Sequence, residues 1–274
     1  MKVLFFCPRW GSDHLSWNAF MQNAKNEGYD GIEFGVAFDS TERELDEIWN
    51  IASKYSLRLI VQHFDTYEAK FEKHILLYEQ WFKKIQKYKP QFINSQTGKD
   101  FFTFEENRSL IDLSAVFGEE NSIEIFHETH RNKFLFAAHI AHGYLKRMPS
   151  LKITMDVSHW VNVAESYLED QAAAMKLAIE RTNHIHARVG HTQGPQITDP
   201  RAPEWQNALN IHLLWWDDVL EQRASEGREF MTITPEFGPW PYLTHLPFTN
   251  KPIANQWEIN VFMMELLKDR YKHY

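Results

Sequence analysis

The feature that most constrains this chain is an alternation repeated along its length: a short apolar run, then a longer amphipathic stretch. Val3–Phe6, Gly31–Phe34, Leu57–Val61, Gln91–Asn94, Ser122–Phe126, Leu151–Met155, Asn183–Ala187 and Phe230–Thr234 read as eight strands. Their lengths and β-branched or aromatic content suit buried strands. Between and after them, helices are expected over Asp13–Asn26, from Ser40 or Thr41, and over Tyr67–Tyr88, Phe104–Phe117, Asn132–Arg147, Ala164–Arg181 and Ile253–Tyr271. Glu42 and Glu44 supply the acidic first turn that favours a helix N-terminus. Strand–helix alternation with short connections implies a parallel sheet. Eight units in 274 residues favour closure into a (β/α)8 barrel, a TIM barrel in the α/β class, near the roughly 250 residues usual for one. An open doubly wound sheet would usually carry a glycine-rich turn after an early strand. Here Cys7-Pro8-Arg9-Trp10-Gly11 follows the first strand instead.

One connection is long. Residues 189–227 separate strands seven and eight, with Gly194-Pro195, Asp199-Pro200 and Ala202-Pro203 early and a helical segment near Glu204–Glu226. Such a segment is expected on the catalytic face, lining or covering the site. No linker or repeat divides the rest, so 1–274 reads as one domain.

The formal net charge of −8 and the lack of a Lys/Arg run argue against nucleic acid as the partner. The single Cys7 rules out an intrachain disulfide and suits a reducing compartment. The N-terminal apolar run is too short for a signal-peptide core, and no stretch is long enough to span a bilayer, so a cytoplasmic protein is expected. The ten tryptophans are compatible with a homo-oligomer without locating an interface.

Four potential ligands stand at or just past the ends of the last four strands: Glu128, Asp156, His186 and Glu236. Their separations are 28, 30 and 50 residues. The first two equal one strand–helix unit each; the third adds the long connection. In a parallel barrel, successive strand ends lie side by side, so the four are expected to converge at the C-terminal mouth. Three carboxylates and one imidazole make a hard, oxygen-rich site for one divalent ion. Mn²⁺, Mg²⁺ or Co²⁺ suits it best, with Zn²⁺ also acceptable. Each residue alone has a plainer reading. Glu128 could cap a helix or pair with Arg131, Asp156 could be an N-cap, and His186 a core histidine.

With Tyr29-Asp-Gly-Ile-Glu33, Glu128, Asp156-x-x-His159, His186 and Glu236 in this order, the chain resembles the xylose isomerase-like superfamily over nearly its whole length. That superfamily holds sugar isomerases, ketose epimerases and apurinic endonucleases. The resemblance implies a metal-dependent sugar isomerase or epimerase working through an enediolate, with Glu128 and Glu236 as the acid–base pair and as ligands. Asp156 and His186 would be ligands, and His159 and Arg188 would contact substrate oxygens or the catalytic carboxylates. Metal-assisted lyases, including inosose-type dehydratases, and hydrolases on the same barrel are the alternatives, as is a non-catalytic carbohydrate-binding barrel. The endonuclease branch needs further histidines. His63 is one candidate, but Asn94-Ser95-Gln96 and His191-Thr192-Gln193 replace others, which counts against DNA cleavage. Trp10, Phe38, His63, Phe64 and Trp240 follow strands and offer an apolar wall for a sugar ring, or ordinary packing under loops. Glu33 could meet a substrate hydroxyl or make a structural hydrogen bond. A small carbohydrate is the expected partner, and only Arg188 and Arg201 suggest themselves for a phosphate.

Overall fold

The computed structural model describes residues 1–274 and shows a closed barrel of eight parallel strands in sequence order. The strands are β1 (Lys2–Pro8), β2 (Gly31–Gly35), β3 (Arg58–His63), β4 (Ile93–Ser95), β5 (Ile125–Glu128), β6 (Ile153–Met155), β7 (Thr182–His186) and β8 (Phe230–Thr234). β1 closes on β8 through the register Lys2↔Phe230 to Phe5↔Ile233. Outside lie α1 (Trp17–Asn26), α2 (Glu42–Tyr55), α3 (Phe71–Ile85), α4 (Phe104–Asn121), α5 (Ala138–Arg147), α6 (Val157–Ala164), α7 (Ala172–Arg181), α8 (Gln206–Ser225) and α9 (Gln256–Arg270). None is long and apolar enough to cross a membrane. Side-chain caps begin several of them; Thr103 and Glu106 form a reciprocal capping box at α4.

The strand period of two residues sorts side chains into two cores. Outward residues such as Phe5, Ile32, Val61, Ile153 and Ile233 meet the helices. Inward residues Leu4, Phe6, Ile60, Phe92 and Phe126 pack together inside the barrel. Two residues further along, the same inward rows carry Gln62, Asn94 and Glu128 toward the mouth. An apolar plug thus becomes a polar floor within one step of the pleat.

Gly31 makes that plug possible. A Cβ there would lie 2.4 Å from both the Phe6 ring and the Arg58 carbonyl oxygen. Gly31→Ala is therefore expected to cost about 1–3 kcal/mol of stability through overpacking, measured by urea unfolding. A neutral result would mean that both the Phe6 ring and the Arg58 backbone shift freely.

Three expectations are corrected. The helix anticipated over Ala164–Arg181 is confined to α7; a separate, unanticipated α6 runs directly after β6 and ends at Ala164, and Glu165 and Leu168, both in left-handed backbone, lie between the two. The α6 sequence is apolar and wholly buried in its first half, so it reads like a continued strand. The segments before α3 and α5 are loops, because their residues bond across the mouth: Asp65 accepts from the Phe38 amide, and the Phe134 amide donates to Thr97. Finally, the helical part of the long connection does not cover the site. It is α8, which packs against α7 and β7 as a regular outer barrel helix. Only the early part reaches the mouth, where Gln196 donates to the Gly238 carbonyl at 3.2 Å and accepts from its amide at 2.7 Å.

Candidate metal centre

The structure gathers the four expected ligands. Glu128, Asp156, His186 and Glu236 are all buried and offer ligand atoms within 4.8 Å of one another. Glu128 ends β5, His186 ends β7, and Glu236 stands two residues past β8. Asp156 follows β6 and keeps its plainer role too: Oδ1 accepts from the Ser158 amide at 3.1 Å and caps α6. Its Oδ2 faces the Arg188 guanidinium. Thr129 Oγ1 braces the Asp156 backbone, accepting from its amide at 2.8 Å.

His186 is held from behind. Its Nε2 lies 3.0 Å from Glu33 Oε1, and Glu33 Oε2 in turn accepts from Thr234 Oγ1 and lies 3.1 Å from His184 Nε2. With the Nε2 proton given to Glu33, the lone pair on Nδ1 points forward. Nδ1 is buried and makes no well-aligned hydrogen bond, although it lies 2.8 Å from Glu236 Oε2 and 3.5 Å from Glu128 Oε1. Glu128 Oε1 is likewise buried without a hydrogen-bond partner. Buried polar atoms left unpaired are costly. Two such atoms side by side, among carboxylates, fit a cation between them. The donor set and the orphaned atoms agree: these residues could hold a metal ion.

Electrostatics sharpen the picture. Burial works to lower the His186 pKa, but Glu236, Glu33 and Glu128 together outweigh it and raise the imidazole well above its ordinary value. Burial works to raise Glu128, yet the nearby charge of His186, with His130 and Arg188, holds it below the usual range. Burial wins at Glu236, which is pushed up despite His186 and Arg188. Two neighbouring carboxyls are thus driven apart.

Arg188 reaches across the group, with Nη2 toward Asp156, 3.3 Å from Glu236 Oε2 and 3.1 Å from His159 Nε2. His159 is buried against His130, ring centroids 4.0 Å apart. Above Arg188 sits the Tyr242 ring at 4.6 Å, edge-on to Trp10 at 5.1 Å. The Trp10 ring in turn occupies the place where Gly238 lacks a side chain; a Cβ there would lie 2.2 Å from the ring.

Other expected residues are elsewhere. His63 faces outward into the core, not the site: its ring nitrogens meet Ser95 Oγ at 3.2 Å and Thr66 Oγ1 at 2.7 Å. Strand parity decides this, and the neighbouring Gln62 points in, its Nε2 3.3 Å from Glu128 Oε2 and 3.5 Å from Glu236 Oε1. Trp240 is 58% exposed and packs on His245, so Tyr242 takes the place expected of it. Glu33 is buried behind His186 and meets no open space; the structural hydrogen bond is its role. Asn94, also unanticipated, donates to Glu128 Oε2 and Glu33 Oε1, both at 3.2 Å. The inward rows from Ile60 and Phe92 carried the signal for Gln62 and Asn94.

Glu33→Gln is expected to weaken divalent-ion binding about 10- to 100-fold, because the orientation and basicity of His186 depend on it. Titration of the metal-free protein with Mn²⁺ reads this directly; unchanged affinity would remove Glu33 from the site.

No protein-family model and no curated protein sequence matches the chain. Solved structures do. A "probable 3-DHS dehydratase AsbF involved in the petrobactin synthesis" from Bacillus anthracis is 17% identical, with TM-score 0.61, covering 98% of this chain and 100% of that one. An "AP endonuclease, family 2" from Brucella melitensis is 10% identical, with TM-score 0.55, covering 96% and 98%. At these identities the likeness concerns the fold alone. The chain has the closed (β/α)8 barrel fold that these two structures share.

Proposed function

We propose that this chain is a divalent-metal-dependent isomerase or epimerase of a sugar or sugar derivative, transferring a proton at the carbon beside a carbonyl through Glu128 and Glu236. One observation carries the reading: four buried side chains offer ligand atoms within 4.8 Å of one another, and two of these atoms, His186 Nδ1 and Glu128 Oε1, lack hydrogen-bond partners. Glu128, Asp156, His186 and Glu236 would hold Mn²⁺, Mg²⁺ or Co²⁺, with Zn²⁺ an acceptable substitute. When bound, such an ion supplies Lewis-acid polarisation of a carbonyl and so acidifies the adjoining C–H.

The chain's own residues do the rest. One of the two glutamates takes the proton while the other, held protonated, returns one. Gln62 donates to both and keeps their oxygens turned inward. Arg188 ties Glu236 to Asp156, so the acid–base group and the ligand move together. Trp10 and Tyr242 roof the site and exclude water, which strengthens the electrostatic interactions beneath them. Admission of a substrate then requires that roof to lift. A small carbohydrate suits a buried site of this kind better than a nucleic acid does, and the net charge of −8 agrees.

The test is hydrogen exchange. With Mn²⁺ and a panel of ketoses and aldoses in D₂O, deuterium should appear at the carbon next to the carbonyl. Loss of water from the labelled substrate would identify a dehydratase instead, which begins with the same proton removal. No labelling across neutral and acidic sugars would sink the reading.

A further inference from the structure

Three loops meet beside the proposed metal centre, following β3, β4 and β5. The loop after β5 brings Lys133, which is only 2% exposed and whose ammonium has no hydrogen-bond partner. The loop after β4 brings Lys99, also buried. Both ammonium groups lie against one ring, Tyr67 from the loop after β3, at 5.7 and 5.6 Å from its centroid. That ring is 64% exposed, so the group stands at the mouth and not in the core. Tyr67 offers both cations its π-face but no hydrogen-bond acceptor there.

An isolated buried ammonium is strongly disfavoured, and lysines are rarely buried without a partner. Two of them drawn together repel each other as well. Burial, then the nearby Lys99 charge, lowers Lys133 to about 8 against the opposing pull of Glu128 and Asp65. Lys133 lies on the loop that leaves β5 just after Glu128, which places the pair beside the proposed metal centre. Asp65 does not relieve the pair: one oxygen accepts from the Phe38 amide at 2.8 Å and the other is unpartnered. Such an arrangement is poorly satisfied by the chain alone and well satisfied by an anion.

We infer that Lys133 and Lys99 form a subsite for an anionic group, a carboxylate or a phosphate, carried by the molecule on which this site acts. The substrate class is then an acidic or phosphorylated sugar derivative, a refinement that rests on the proposed function. The anion subsite itself does not.

Direct binding separates the two. Inorganic phosphate, D-gluconate and neutral D-fructose are titrated calorimetrically into the metal-free wild type and into Lys133→Met, Lys99→Met and Lys133→Arg. Phosphate or gluconate should bind the wild type, weaken about tenfold or more in both Met variants, and persist in Lys133→Arg, as expected for a charge-assisted contact. Whichever of the two anions shows the Lys133 dependence identifies the group. Ligand-free Lys133→Met should melt no lower than the wild type, since an unpaired charge has been removed, yet lose the thermal shift that the anion induces. Anion binding unchanged in both Met variants would overturn the inference, and so would wild type that binds neither anion. A Lys133→Met protein that melts lower and binds anions normally would mark a structural lysine. Lys133-dependent anion binding without hydrogen exchange on any sugar would retire the proton-transfer reading and keep the subsite. Exchange on neutral sugars with no anion binding would do the reverse.

Discussion

Glu236→Gln and Glu128→Gln should each cut deuterium incorporation into substrate about 10²- to 10⁴-fold, the range for removing a positioned acid or base. Glutamine keeps the volume and one acceptor oxygen, so the surrounding packing survives. The two variants should differ in stability. Glu128 is held ionised by His186, His130 and Arg188 against its burial, so neutralising it removes favourable pairings. Burial pushes Glu236 up toward the neutral acid, so a neutral amide there disturbs less. In the metal-free protein, Glu128→Gln should therefore melt lower than Glu236→Gln, while both lose exchange. Wild-type exchange in either variant would remove that residue from the chemistry, whatever the melting curves show.

The second large effect concerns metal and pH together. At an Mn²⁺ concentration about 100 times its dissociation constant, the bound state should be stabilised by about 2.7 kcal/mol over the chelated protein. The increment should grow with pH. In the metal-free protein the raised pKa of His186 means that its imidazolium stabilises the fold fully below the unfolded value, near 6.5. That contribution is lost as pH rises through the folded pKa, leaving the carboxylates without their nearest cation. A metal ion takes over from the proton on His186, so its binding is favoured over the same interval. Melting in EDTA and in Mn²⁺ from about pH 6 to pH 9 reads both trends. An increment that shrinks as pH rises would show that the ion, if bound, is not bound through His186.

The barrel and the four residues that meet at its mouth were legible for a shared reason. Strand-end residues one strand–helix unit apart in the chain become neighbours in space once the sheet is parallel. Glu128, Asp156, His186 and Glu236 needed no further information than that spacing. His63 was misread because a strand end offers two adjacent residues that face opposite ways. Counting in twos from Ile60, which packs inside the barrel, reaches Gln62 and leaves His63 outside. Trp240 and Tyr242 lie on one irregular loop, where no period tells which ring turns to Arg188.

By itself, then, the chain's order of residues determined the number of strands, the parallel sheet and the four side chains that meet at its mouth, because these follow from local periodicity and repeat length. The tertiary structure alone decided which neighbours of those four face inward, that Glu33 stands behind His186, and that Lys99 and Lys133 share one ring. These depend on barrel closure and on loops from different strands packing together, and such contacts leave no periodic trace along the chain.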